Sequence, residues 1–143
     1  MNNSTLIQLL TYLGALPFFL AIYLGLSGGS FWGVDASRWF LTYGLVILSF
    51  MAGTLWGQVV NEEVRIKRIA LASNGITLAA WFAFLLAPAS ITLLITAMGF
   101  ITLYVLEAFV MSHIKRPDYY LSLRLRVTAL VVLAHGLMFS IAS

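Results

Sequence analysis

The chain is laid out as long, unbroken apolar runs separated by short polar ones. Five runs stand out, at about 6–26, 39–58, 69–86, 91–111 and 119–141. Each holds roughly 18–23 residues, the length at which a helix crosses a ~30 Å hydrocarbon layer. The runs are continuous rather than alternating, which argues against a barrel of strands. The pattern predicts an all-α integral membrane protein, a five-transmembrane-helix bundle in which residues 1–143 form a single transmembrane helical domain. The first run reads as a span and not as a signal peptide, because MNNST carries no positive charge and the apolar stretch is too long.

Composition agrees with the pattern. Of the 143 residues, 62% are hydrophobic and 9% charged, against about 25% charged in a soluble domain. Such a chain cannot cover a globule with polar surface, so lipid must be most of its solvent. It has no cysteine, which excludes disulfides, Cys-ligated zinc and iron–sulfur clusters.

The net charge of +3 matters through its placement. The second and fourth connections, with the first turn after the latter, hold Arg65, Lys67, Arg68, Lys115, Arg116, Arg124 and Arg126. With five spans these connections share a side with the N-terminus, and the opposite side holds only Arg38. The positive-inside rule then puts the N-terminus in the cytoplasm and the C-terminus outside. The expected location is the bacterial inner (cytoplasmic) membrane, crossed several times. Arg65, Lys67, Arg68, Lys115, Arg116 and Arg126 are expected at lipid headgroups. That accounts for the basic residues without a nucleic-acid partner.

Local signals refine the helices. Asn61, Ser90 and Asp118 are candidate N-caps of the third, fourth and fifth helices. Pro17 should kink the first. Trp32, Trp39, Trp81, Tyr119 and Tyr120 fall near the expected interfaces, as an aromatic belt should. SGGSFWGVDASR reads as a glycine-rich loop, and APAS as a four-residue turn.

Helical spacing assigns faces. Ser49, Gly53 and Gly57 recur every four residues on the second span and form a helix-packing stripe, expected to meet a neighbouring helix of the same chain, with a second copy as the alternative. On the fourth span Thr92, Thr96, Gly99, Leu103 and Glu107 share one face. On the fifth, Arg124, Thr128 and His135 do so. Asn74 lies about 9 Å beyond Arg68 along the third. These polar positions should turn into the bundle, away from lipid.

Glu107 is the chief chemical question. It sits roughly 24 Å deep in a ~30 Å core, counted from the outer end of its span. An unpaired carboxylate there costs several kcal/mol or takes up a proton. Folding the last hairpin near Arg116 and Pro117 brings Glu107 level with Arg124–Arg126. Arg124 shares the Thr128/His135 face, whereas Arg126 shares a face with Leu130, Leu133 and Leu137. Arg124 is therefore the expected partner, offering a bidentate guanidinium, and Arg126 should reach toward headgroups. Three roles compete for Glu107: a structural ion pair, a proton or ion relay, and snorkelling to water. His135, near mid-membrane, is read as hydrogen-bonded to a neighbouring Thr, Asn or Ser, with a proton carrier as the alternative. The candidate polar site is Glu107, Arg124, Trp56, Asn74, Thr128 and His135.

Catalytic patterns are missing. There is no intramembrane carboxylate pair, GxSxG, HExxH or phosphate loop, and no Lys within a span for a Schiff base. The two histidines have no acidic partner at metal-ligand spacing, which argues against a metal site, and they fall at different depths, which argues against bis-histidine haem. No cofactor, metal or catalytic residue is expected.

YGLVILSFMAGTLWG (43–57) and PDYYLSLRLRVTALVVL (117–133) resemble the domain-of-unknown-function family numbered 3429, which includes the mitochondrial transmembrane protein 69. The shared features fall on Tyr43, Gly44, Gly53, Trp56, Gly57, Glu107, Pro117, Tyr120, Leu123, Arg124 and Thr128. The resemblance implies small, all-helical, polytopic membrane proteins with no assigned reaction. It also implies an aspartate where this chain has Glu107. The expected function is that of a non-enzymatic structural, lipid-interacting or accessory membrane protein, with lipids and either a second copy or another membrane protein as partners. The alternative is an oligomeric transporter or channel for protons, ions or a small solute, using the Glu/Arg/His zone.

Overall fold

The computed structural model describes residues 3–28, 30–59, 64–111 and 118–142, with side chains described for 5–28, 30–57, 68–69, 71–110 and 121–141. Five helices carry nearly all of it: α1 (Asn3–Ser27), α2 (Ala36–Val59), α3 (Val64–Leu86), α4 (Ala89–Met111) and α5 (Asp118–Ala142). Each contains one predicted run and adds a few flanking residues. A helix must satisfy its backbone internally wherever lipid surrounds it, so the apolar runs nucleate helices that extend to the next polar stretch. Among the described residues, four helices are long and apolar enough to cross a membrane, over Thr5–Ser27, Ala36–Gly57, Ala89–Val110 and Leu121–Ile141. The apolar part of α3 is shorter, Leu71–Leu86.

The predicted glycine-rich loop contains a tight hairpin instead. Strands β1 (Ser30–Phe31) and β2 (Val34–Asp35) pair antiparallel, Ser30 with Asp35 and Phe31 with Val34. Trp32 (φ +53°) and Gly33 (φ +74°) form the turn, and positive φ at both central residues is the hairpin-favouring type I′ pattern. A tryptophan in this region costs about 1–3 kcal/mol. Its ring stacks on Phe31 at 5.0 Å, and the Trp39 indole N–H donates to Phe31 O at 3.1 Å, tying the hairpin to α2. Asp35 caps α2 by accepting the Arg38 N–H at 2.8 Å.

At the α3–α4 turn, α4 begins before Ser90. The Thr92 N–H donates to Pro88 O at 3.0 Å, so Pro88 occupies the cap position expected for Ser90. The Thr92 hydroxyl lies 2.9 Å from Ala83 O and 3.1 Å from Pro88 O, pinning the end of α3 to the start of α4. The proposed caps Asn61 and Asp118 lie outside the described side chains, as do Tyr119 and Tyr120.

Each helix touches the next, α1 closes the ring against α5, and α2 touches α4 across it. Phe18, Phe40, Leu48, Leu55, Leu93, Leu103, Val131 and Met138 form much of the core. α1 is packed unevenly. Ala15, Phe18, Ala21 and Ile22 are buried, whereas no residue from 5 to 14 is. The change falls beside Pro17, which α1 carries in its interior. Proline removes the N–H that would bond Leu13 O. One residue on, Gly14 O accepts the Tyr43 hydroxyl at 2.8 Å, the polar tie between α1 and α2.

The Ser49/Gly53/Gly57 stripe does not pack against the described residues of the chain. All three residues are exposed, and a Cβ at Gly53 or Gly57 would meet nothing within 4 Å. α2 instead buries Phe40, Leu41, Leu48, Ala52 and Leu55, where larger side chains fill the core. The close approach expected of glycine occurs at Gly99, where a Cβ would lie 3.0 Å from Ile76 Cγ2 and 3.4 Å from Leu48 Cδ1.

Candidate functional site

α4 presents the predicted face inward: Thr92, Thr96, Leu103 and Glu107 are buried, as is Gly99. α5 answers with Arg124, Thr128 and His135, also buried. The Arg124 Nε–H donates to Glu107 Oε1 at 2.6 Å, and the two side chains are 6% and 3% exposed. Coulombic attraction at this depth is little screened, and each charge removes the other's reason to leave the bundle. The hydrogen bond is made through Nε, and the expected two-pronged guanidinium–carboxylate fork is not found among the described residues.

Other expected members fall elsewhere. Trp56 is 38% exposed and Asn74 is exposed, so neither joins the ion pair. On α3 the inward polar residue is Ser73, fully buried. α3 buries Ser73, Ala80 and Ala83, small side chains that let it approach its neighbours. Asn74, about 100° further round the helix, points outward. Arg68 and Arg126 are exposed, as a headgroup role requires. The Arg65 and Lys67 side chains, and residues Lys115 and Arg116, lie outside the described set.

His135 occupies a separate site, eleven residues beyond Arg124 and so about 16 Å along α5. Its Nδ1 lies 2.7 Å from Val131 O. A carbonyl can only accept, so Nδ1 carries a proton, and when the ring is neutral Nε2 is the lone-pair acceptor. Among the described residues, the expected Thr, Asn or Ser partner is not found. Nε2 is buried without a hydrogen bond, and the ring is caged by Phe18 (5.5 Å), Phe40 (4.8 Å) and Phe100 (5.5 Å). Gly44 completes the cage: a Cβ there would lie 3.8 Å from Nε2. Among the described residues, no three His, Cys, Asp or Glu side chains gather as metal ligands would.

Sequence periodicity does not reveal a groove of about 360 Å³ between α1, α2 and α5. Ile7, Leu10 and Gly14 of α1 form one wall, Met51 and Thr54 of α2 another, and Arg124, Thr128 and Val131 of α5 the third, with Phe100 of α4 at the floor. The groove lies beside the N-terminal half of α1, where no residue from 5 to 14 is buried. Its existence depends on how α1 leans, a long-range property that periodicity does not encode. Thr54 could have been singled out only as a threonine on the buried side of α2.

The architecture is that of a multi-pass, all-helical membrane protein with an ion pair buried between its last two helices. The chain matches the family described as "Protein of unknown function (DUF3429)" over residues 4–140, and it belongs to that family. No curated protein and no solved structure matches it.

Proposed function

We propose that this is a non-enzymatic, lipid-interacting membrane protein of five spans, with its N-terminus in the cytoplasm, and that the Glu107–Arg124 pair locks α4 to α5. The observation that carries this reading is the closed 2.6 Å contact between side chains that are almost fully buried. A relay or channel needs its carboxylate on a wet path, and Glu107 is not among the residues lining the groove. The distribution of Lys and Arg supports the orientation and a bacterial inner membrane as the location. The outward Ser49/Gly53/Gly57 stripe supports a contact with another copy or another membrane protein.

The test is a flux assay in proteoliposomes, comparing native protein with Glu107→Gln. The expected result is proton and potassium flux equal to that of protein-free vesicles for both. Native flux that Glu107→Gln abolishes while the protein stays folded would replace this reading with the transporter.

A further inference from the structure

The α1/α2/α5 groove has an unusual polar end. Threonines in apolar helices generally return their hydroxyl proton to a carbonyl one turn back. Thr11, Thr54 and Thr96 do so here, at 2.6–2.8 Å. Thr128 does not. It is 7% exposed, it lines the groove, and its hydroxyl donates no hydrogen bond among the described residues. Arg124, one turn earlier on the same face and 5% exposed, also lines the groove. Its hydrogen bond to Glu107 is made through Nε, and its Nη N–H groups show no acceptor among the described residues. Arg124 Nη and Thr128 Oγ1 are not among the buried atoms left without a partner; two neighbouring donor groups thus open into one largely apolar groove.

The groove's position narrows what could supply that acceptor. It is formed by the first half of α1, the second half of α2 and the first half of α5, so it lies within the half of the bundle at the basic end. From Arg124 to Val131 it runs about 10 Å, most of one ~15 Å leaflet of hydrocarbon. Its volume, about 360 Å³, is at the small end for ligand pockets and well short of a whole two-chain lipid. Its polar end lies toward the headgroups and its apolar end at the bilayer middle. Because Glu107 already balances Arg124, the site asks for an oxygen acceptor rather than for net negative charge.

Resting on the lipid-interacting reading above, we infer that this groove holds one acyl chain of a glycerophospholipid, with a glycerol-ester or phosphate oxygen accepting hydrogen bonds from Arg124 Nη and Thr128 Oγ1. The second chain stays in the bilayer. Recognition is by chain and glycerol-phosphate oxygens, and so is indifferent to the headgroup.

The test uses the full chain in nanodiscs of dioleoylphosphatidylcholine doped with a phosphatidylcholine carrying a mid-chain diazirine. After irradiation, crosslinked peptides are mapped by mass spectrometry. Labelling should concentrate on 7–15 and 123–131. Gly14→Leu should abolish it: Gly14 lines the groove, a Cβ there meets nothing within 4 Å, and the added side chain would occupy the groove. Thr128→Val should weaken it, and exchanging the doped headgroup for phosphatidylglycerol should leave it unchanged. Labelling spread over the exposed faces of α2–α4 and insensitive to Gly14→Leu would overturn the inference. So would loss of groove labelling on adding a short-chain quinone, which would assign the groove to a quinone instead. Diffuse labelling of a flux-silent, folded protein would sink the lipid site alone, whereas groove labelling accompanied by flux would sink the non-enzymatic reading alone.

Discussion

α5 buries two ionisable side chains on one face, and it treats them in opposite ways. Arg124 meets a carboxylate at 2.6 Å. His135 meets no charge among the described residues; it gives one proton to Val131 O and turns its other nitrogen toward three phenyl rings and Gly44. The difference follows from chemistry. Guanidinium keeps its charge at any ordinary pH, so oil accepts it only with a counter-charge. Imidazole can be neutral, so an aromatic cage holds it once a single N–H is satisfied. Seen this way, the ion pair is a lock whose halves depend on each other, and the histidine behaves as a space-filling ring with one tether.

The largest test of this contrast removes one half of the lock. Arg124→Leu strands Glu107 and should cost about 3–5 kcal/mol, read as early loss of the folded species in a detergent melting series. Adding Glu107→Leu to it should recover most of that loss, because an apolar pair of similar volume often replaces a buried ion pair at little cost. A smaller effect is expected from Glu107→Asp, which shortens the arm by one methylene and lengthens the 2.6 Å contact; about 1–2 kcal/mol should be lost in the same assay. On the other side of the comparison, His135→Leu should cost only about 1 kcal/mol, the scale of its aromatic contacts. A loss as large as that of Arg124→Leu would mean that the imidazole has a partner as essential as a counter-charge. The smallest and most diagnostic change is Gly44→Ser. It places a Cβ in ordinary van der Waals space 3.8 Å from Nε2, with its hydroxyl in reach of that nitrogen, and should raise the melting midpoint by the equivalent of about 1 kcal/mol. That variant would convert the cage into a hydrogen-bonded site.

The sequence made some of this legible. Helix positions could be read because lipid leaves the backbone no other solution over long apolar runs. The inward face of α4 and the partner of Glu107 followed from spacing and from matching depths across a short hairpin. What could not be read depended on distances between helices. Ser73 rather than Asn74 faces inward because α3 packs closely through small side chains, and a single sequence does not reveal that closeness. The Ser49/Gly53/Gly57 stripe is a packing pattern without an address; Gly99, lacking such a repeat, is where helices crowd. The Phe31–Val34 hairpin lacks the Asn-Gly or Asp-Gly signal, since a tryptophan occupies a place usually left to smaller residues.

Pro17 has a consequence for how the molecule comes apart. Residues 5–14 bury no side chain, and the proline deletes a backbone rung just beyond them. Regions with few buried contacts open at the lowest free energy. The leading end of α1 should therefore fray first under heat or force and halt at Ala15 and Phe18, leaving the other four rods assembled while the first has half let go.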